Sequence, residues 1–121
     1  MIELMTDLPD NAVGFTVSGE VSEDDYENIL IPAMEAKLEE YDKIRALYNF
    51  GPDYEKFDRD AMWDDAKVGM KHLTDFEKIA VVADQKWIRR SIKAFGWMMP
   101  GEVKLFDGSQ VDEAKAWVAE D

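Results

Sequence analysis

Two spacings of apolar residues alternate along the chain. In "AVGFTVSG", Val13, Phe15 and Val17 alternate with Gly14, Thr16 and Ser18, the period-2 pattern of a strand with one face in the core. "IELM" at Ile2–Met5 is a shorter run of the same kind, and "LPDN" at Leu8–Asn11 supplies turn residues between the two, which predicts a hairpin. The spacing then lengthens. Tyr26, Ile29, Leu30, Ala33 and Ala36 recur at helical intervals behind Ser22 and Asp25, a capping pair, with Val21 placed to staple onto Tyr26. Pro32 lacks a backbone donor and is expected to kink or restart this helix, which ends near Tyr41.

The alternation repeats to the end of the chain. "KIRALYNF" reads as a strand stopped by Gly51 and Pro52, and a helix is predicted from about Asp58 to His72. "KIAVVA" is nearly continuous in apolar residues, as a strand covered on both faces should be. A third helix follows from Lys86, then "VKLF" as a last strand, "DGSQ" as a turn with Ser109 as its cap, and a final helix using Val111, Ala114, Trp117 and Val118. This order predicts one α/β domain over residues 1–121, with a mixed, mostly parallel sheet of about five strands and about four helices joined by right-handed crossovers.

Composition narrows the function classes. The 121 residues carry a net charge of −13, which opposes nucleic-acid binding, since that rests on cation contacts to phosphate. The absence of cysteine excludes disulfides and thiolate chemistry. The acidic start "MIELMTDLPD" lacks the basic and apolar runs of a signal peptide, and a cytoplasmic location is expected. No metal or cofactor site is expected either. The single histidine, His72, has no spacing relation to Ser18, Ser22, Ser91 or Ser109 that suggests a catalytic pair, and the adjacent carboxylates of "EDD" and "WDD" are those of a solvated acidic face. A noncatalytic protein is expected.

One window departs from this acidic character. From Gln85 to Gly101 there is no Asp or Glu, so the window carries +4 and the remaining residues −17. On a helical wheel Trp87, Ile88, Ser91, Ile92 and Phe95 share one side, and Lys86, Arg89, Arg90 and Lys93 share the other. Trp97, Met98 and Met99 follow Gly96, and these adaptable apolar side chains suit a ligand mouth or a membrane interface as well as a core. The candidate ligand-binding set is therefore Trp87, Ile88, Ile92, Phe95, Trp97, Met98 and Met99 with Trp63 in support, flanked by a basic patch of the four cations. The expected partner is a nonpolar or amphipathic small molecule, with transient contact to a membrane surface. A protein partner or a homodimer docking on the same patch is the alternative.

Three strings, "SEDDYENILIPAMEAKLEEYDKIRALYNF", "MWDDAKVGMKHLTDFEKIAVVADQKWIRRSIKAF" and "PGEVKLFD", together resemble the SpoIIAA-like family of small bacterial STAS-like domains over nearly the whole chain. The resemblance implies the α/β fold of anti-sigma-factor antagonists and of the cytoplasmic domains of sulfate transporters, and a distant likeness to carriers of nonpolar lipids. STAS antagonists are switched by phosphorylation of a Ser or Thr at the start of the helix after the third strand. This chain has no Ser or Thr from Glu23 to Leu73, so that switch is expected to be absent, with acids such as Asp53 and Asp58 in its region.

Overall fold

The computed structural model describes residues 1–54, 56–57, 75–96 and 101–120. β1 (Ile2–Leu4) and β2 (Ala12–Val17) form the expected antiparallel hairpin, with Ile2 opposite Val17 and Leu4 opposite Phe15. A short parallel pair, β3 (Glu20–Val21) and β5 (Lys56–Phe57), lies outside the main sheet. β4 (Ile44–Phe50), β6 (Phe76–Val82) and β7 (Glu102–Phe106) continue the sheet from β2 in parallel, giving the order β1-β2-β4-β6-β7. "KIAVVA" is thus interior, with Ala80, Val81, Val82 and Ala83 each at most 2% exposed.

The alternation along each strand sorts the core into two layers. Val13, Phe15 and Val17 of β2 and Ile44 and Ala46 of β4 face one side, where Tyr26, Leu30, Met34 and Ile88 cover them. Ala12, Leu47, Ala80, Val82 and Phe106 face the other, where Ala114 and Val118 cover them. The sheet therefore has helices on both faces, which is why its interior strands are apolar almost throughout.

Three helices lie among the described residues; the helix expected from Asp58 to His72 lies outside them. The first, α1, runs over residues 23–40 and opens as the sequence predicts. The Ser22 N–H donates to Asp25 Oδ2 at 3.0 Å and the Asp25 N–H donates to Ser22 Oγ at 3.3 Å. Tyr26–Leu30 then form a π turn, in which the Ile31 N–H reaches back to the Tyr26 carbonyl, before regular helix resumes at Ile31. The wider turn sits where Pro32, second in the resumed helix, would otherwise crowd a carbonyl it cannot bond. The extra residue also rotates the helix beyond it. Tyr26, Leu30 and Met34 are the buried positions, and Ala36, which the uninterrupted wheel places in the core, is exposed.

α2 (Lys86–Phe95) joins β6 to β7, and α3 (Val111–Ala119) returns across the opposite face. Ser109 does not cap α3. The Gln110 side chain serves that corner, its Oε1 accepting from the Asp107 N–H at 2.8 Å and its Nε2 donating to Glu113 Oε2 at 2.9 Å. At the other end of α3, Arg45, 5% exposed, donates from one guanidinium nitrogen to the carbonyls of Val118 and Glu120, each at 2.7 Å. Lys78 Nζ adds bonds to the Trp117 carbonyl at 3.0 Å and the Glu120 carbonyl at 2.6 Å. Two cations from the sheet thus satisfy the orphan carbonyls and oppose the negative end of the helix dipole.

Candidate functional site

α2 divides the basic window by direction. Ile88 is 4% exposed in the core and Ile92 is half-buried against it, whereas Trp87 is 41% exposed. Trp87 is one of three exposed large hydrophobic residues, with Met1 and Leu4, among the described residues. It is held from below: its ring stacks on Tyr54 at 6.0 Å, and Tyr54 continues through Phe50 at 5.1 Å and Tyr48 at 6.3 Å to Phe15 at 5.6 Å. A row of rings therefore leads from the centre of the sheet to the surface and fixes the orientation of the exposed one.

Gln85 sets the join between this row and the helix. Its Nε2 donates to the Gly51 carbonyl at 2.9 Å and the Tyr54 carbonyl at 3.3 Å, tying the 51–54 turn to the start of α2. Its Oε1 is buried and, among the described residues, has no partner. Exchanging the two amide atoms would face an oxygen to two carbonyls, so the orientation is set by the bonds it makes.

The four cations separate as well. Arg89 turns inward, donating to the Ala83 carbonyl at 2.9 Å and the Phe106 carbonyl at 3.3 Å, with Asp107 Oδ1 at 3.5 Å. It fastens the carboxyl ends of β6 and β7. Lys86, Arg90 and Lys93 remain exposed, without an ion pair among the described residues. Arg90 lies three residues from Trp87, so the two are neighbours where the apolar and basic sides of the helix meet. Trp63, Trp97, Met98, Met99 and the Phe95 side chain lie outside the described residues. From Trp87 to Gly96 the helix advances nine residues, a rise of about 14 Å.

Two cavities accompany this surface. One, of about 370 Å³, lies outside the carboxyl ends of the parallel strands, among Thr16, Ser18, Asn49, Asp53 and Asp84. Open α/β sheets commonly bind ligands in that position. Two of its lining residues are joined, the Gly108 N–H donating to Asp84 Oδ1 at 2.9 Å. The other, of about 450 Å³, lies at the opposite edge of the sheet, between the β1–β2 connection and α1, with Leu4, Met5, Leu8, Ala33 and Ala36 among its walls. The connection is anchored by Lys115, whose ammonium bonds Asp7 Oδ2 at 2.8 Å and thereby holds the Asp7 carboxyl below the ordinary aspartate value. It lies close over Gly14, where a Cβ would come within 2.5 Å of Leu8 Cδ1. Among the described residues no group of three potential metal ligands forms, and no helix is long and apolar enough to cross a membrane.

Comparison with known proteins agrees with this α/β fold. The SpoIIAA-like family model matches residues 12–119. The chain belongs to the SpoIIAA-like family. Among solved structures, an uncharacterised protein of the DUF3478 family with a SpoIIAA-like fold, from Shewanella loihica PV-4, is similar at a TM-score of 0.77 and 26% identity, covering 98% of this chain and 92% of that one. No curated protein matches. In this SpoIIAA-like domain Asp53 is exposed in the turn after β4, and from Glu23 to Leu73 the chain offers no hydroxyl side chain other than tyrosine. Arg45 and the ring row could not be read from the sequence. Arg45 sits at an ordinary strand position, and the row depends on pairing between β2 and β4 that spacing within either strand does not encode.

Proposed function

We propose that this SpoIIAA-like chain is a noncatalytic cytoplasmic binding domain that takes a nonpolar or amphipathic ligand and meets an anionic amphipathic surface transiently through α2. The observation that carries the reading is Trp87, 41% exposed on a ten-residue helix that has no acidic residue, beside Lys86, Arg90 and Lys93 in a chain of charge −13. An exposed indole on a row of packed rings offers apolar contact without having to be ordered on binding, and the cations draw an anionic head to it. Each near-surface cation contributes on the order of 1 kcal/mol to such attraction, so three support reversible attachment.

The same Trp–Arg pairing is typical of protein-binding anchors, and family membership adds weight to a second reading, a STAS-like interaction module without the Ser/Thr switch. Vesicle sedimentation separates the two. The parent protein should bind phosphatidylglycerol vesicles with a blue shift in tryptophan emission, and Trp87→Ala should lose about ten-fold in affinity, the value of one apolar ring of partial burial. If vesicles of that composition neither bind nor shift the emission, the lipid reading fails and the interaction module takes its place.

A further inference from the structure

The cavity between the β1–β2 connection and α1 is an unassigned site at the edge of the sheet away from α2. We infer that it binds a single acyl chain with a carboxylate head, the chain against Leu4 and the Ala33–Ala36 face, the head on Lys37. Three observations converge on this occupant.

The first is why the cavity exists. The π turn at Tyr26–Leu30 brings Met34 into the core and leaves Ala36 exposed, so two small side chains, Ala33 and Ala36, form the α1 wall where an uninterrupted helix would have directed Ala36 inward. The volume of about 450 Å³ is within the usual range for small-molecule pockets. The second is its exposed apolar rim: Leu4, on the edge strand β1, is 49% exposed beside this cavity. The third is charge. Lys37 Nζ donates to the Asp10 carbonyl at 2.6 Å, and no carboxylate lies within ion-pair distance of it among the described residues. One of its three N–H groups is used, and the others remain for an acceptor. Of the acids nearby, Asp7 is engaged by Lys115. Asp10 lines the cavity too, beside Lys37, and its carboxylate disfavours a doubly charged head.

Decanoate, titrated below its micelle concentration into the whole chain labelled at alanine methyls, tests the assignment. Ala33 and Ala36 methyl signals should shift and saturate, while Ala94, exposed on α2, should not. Lys37→Gln should weaken decanoate about five-fold, with little effect on decanol, since it removes one partly exposed ion pair. Ala36→Phe should fill the cavity and abolish the response; because Ala36 is exposed, the new ring does not have to enter the core, and Leu4→Asp provides an independent block at the rim. Unchanged decanoate affinity in both blocking variants would overturn the inference. So would equal binding of decanoate and decyltrimethylammonium, or a saturable shift confined to Ala94. That last result would place the ligand on α2 and favour the proposed lipid contact there, so the two fail separately.

Discussion

Arg45 shows how much one side chain can join. Its stem crosses the face of the sheet under α3, its Nε donates to Glu77 Oε2 at 3.1 Å, and a terminal nitrogen reaches the carbonyls of Val118 and Glu120. These partners differ in what they lose if it is removed. Glu77 is 46% exposed on its side chain and Glu120 is at the surface, so both can turn to water, but the bond to the Val118 carbonyl is buried. Replacement by Met preserves most of the apolar stem and leaves that one acceptor unpaired. Arg45→Met should therefore destabilise the fold by about 2 kcal/mol in denaturant unfolding, the usual cost of an orphaned buried carbonyl. Lys78→Met should cost less than half as much, because its bonds lie nearer solvent. Equal effects would show that both cations act only through the helix dipole.

At the level of elements, the period of the apolar residues made every strand of the main sheet legible, because a half-buried strand must alternate and a doubly covered one must be apolar throughout. Val13, Phe15 and Val17 state the face of β2 outright, and Ile79–Val82 state that β6 is interior. The two-residue strands β3 and β5 are too short to carry a period. α1 was legible in its cap and extent but not in its phase, since Pro32 signals an interruption without saying whether it will be a kink, a break or a wide turn. The phase has a direct test. Met34 is 1% exposed, so Met34→Ala should cost about 2–5 kcal/mol, whereas Ala36→Ser should stay within about 0.5 kcal/mol. A wheel without the π turn requires a cost at Ala36 too. α2 was legible as amphipathic, yet its wheel does not reveal that Arg89 turns back to the Ala83 and Phe106 carbonyls, because that depends on where β7 ends.

For the whole molecule the relevant quantity is the distance over which its charges act. In the proposed docking through α2, Lys86, Arg90 and Lys93 meet an anionic vesicle directly, while the −17 carried outside the Gln85–Gly101 window is spread over a body roughly 30 Å across. At about 0.01 M salt the screening length is also about 30 Å, so the vesicle feels the entire acidic surface and repels it. Near 0.1 M it falls to about 10 Å, and the vesicle then senses chiefly the α2 face that touches it. Higher salt weakens that contact too. Binding to phosphatidylglycerol vesicles should accordingly rise between about 0.01 and 0.1 M salt and fall beyond it, a maximum that a uniformly acidic protein would not show. Arg90→Gln/Lys93→Gln removes the short-range attraction, so the difference from the parent should be largest near the maximum, which should itself disappear. Trp87→Ala removes apolar contact and should lower the whole curve without moving its peak, because that contact is not screened. A parent curve that falls steadily from the lowest salt would mean the acidic body does not oppose docking, and a variant curve that keeps its maximum would mean that cations other than Arg90 and Lys93 make the contact.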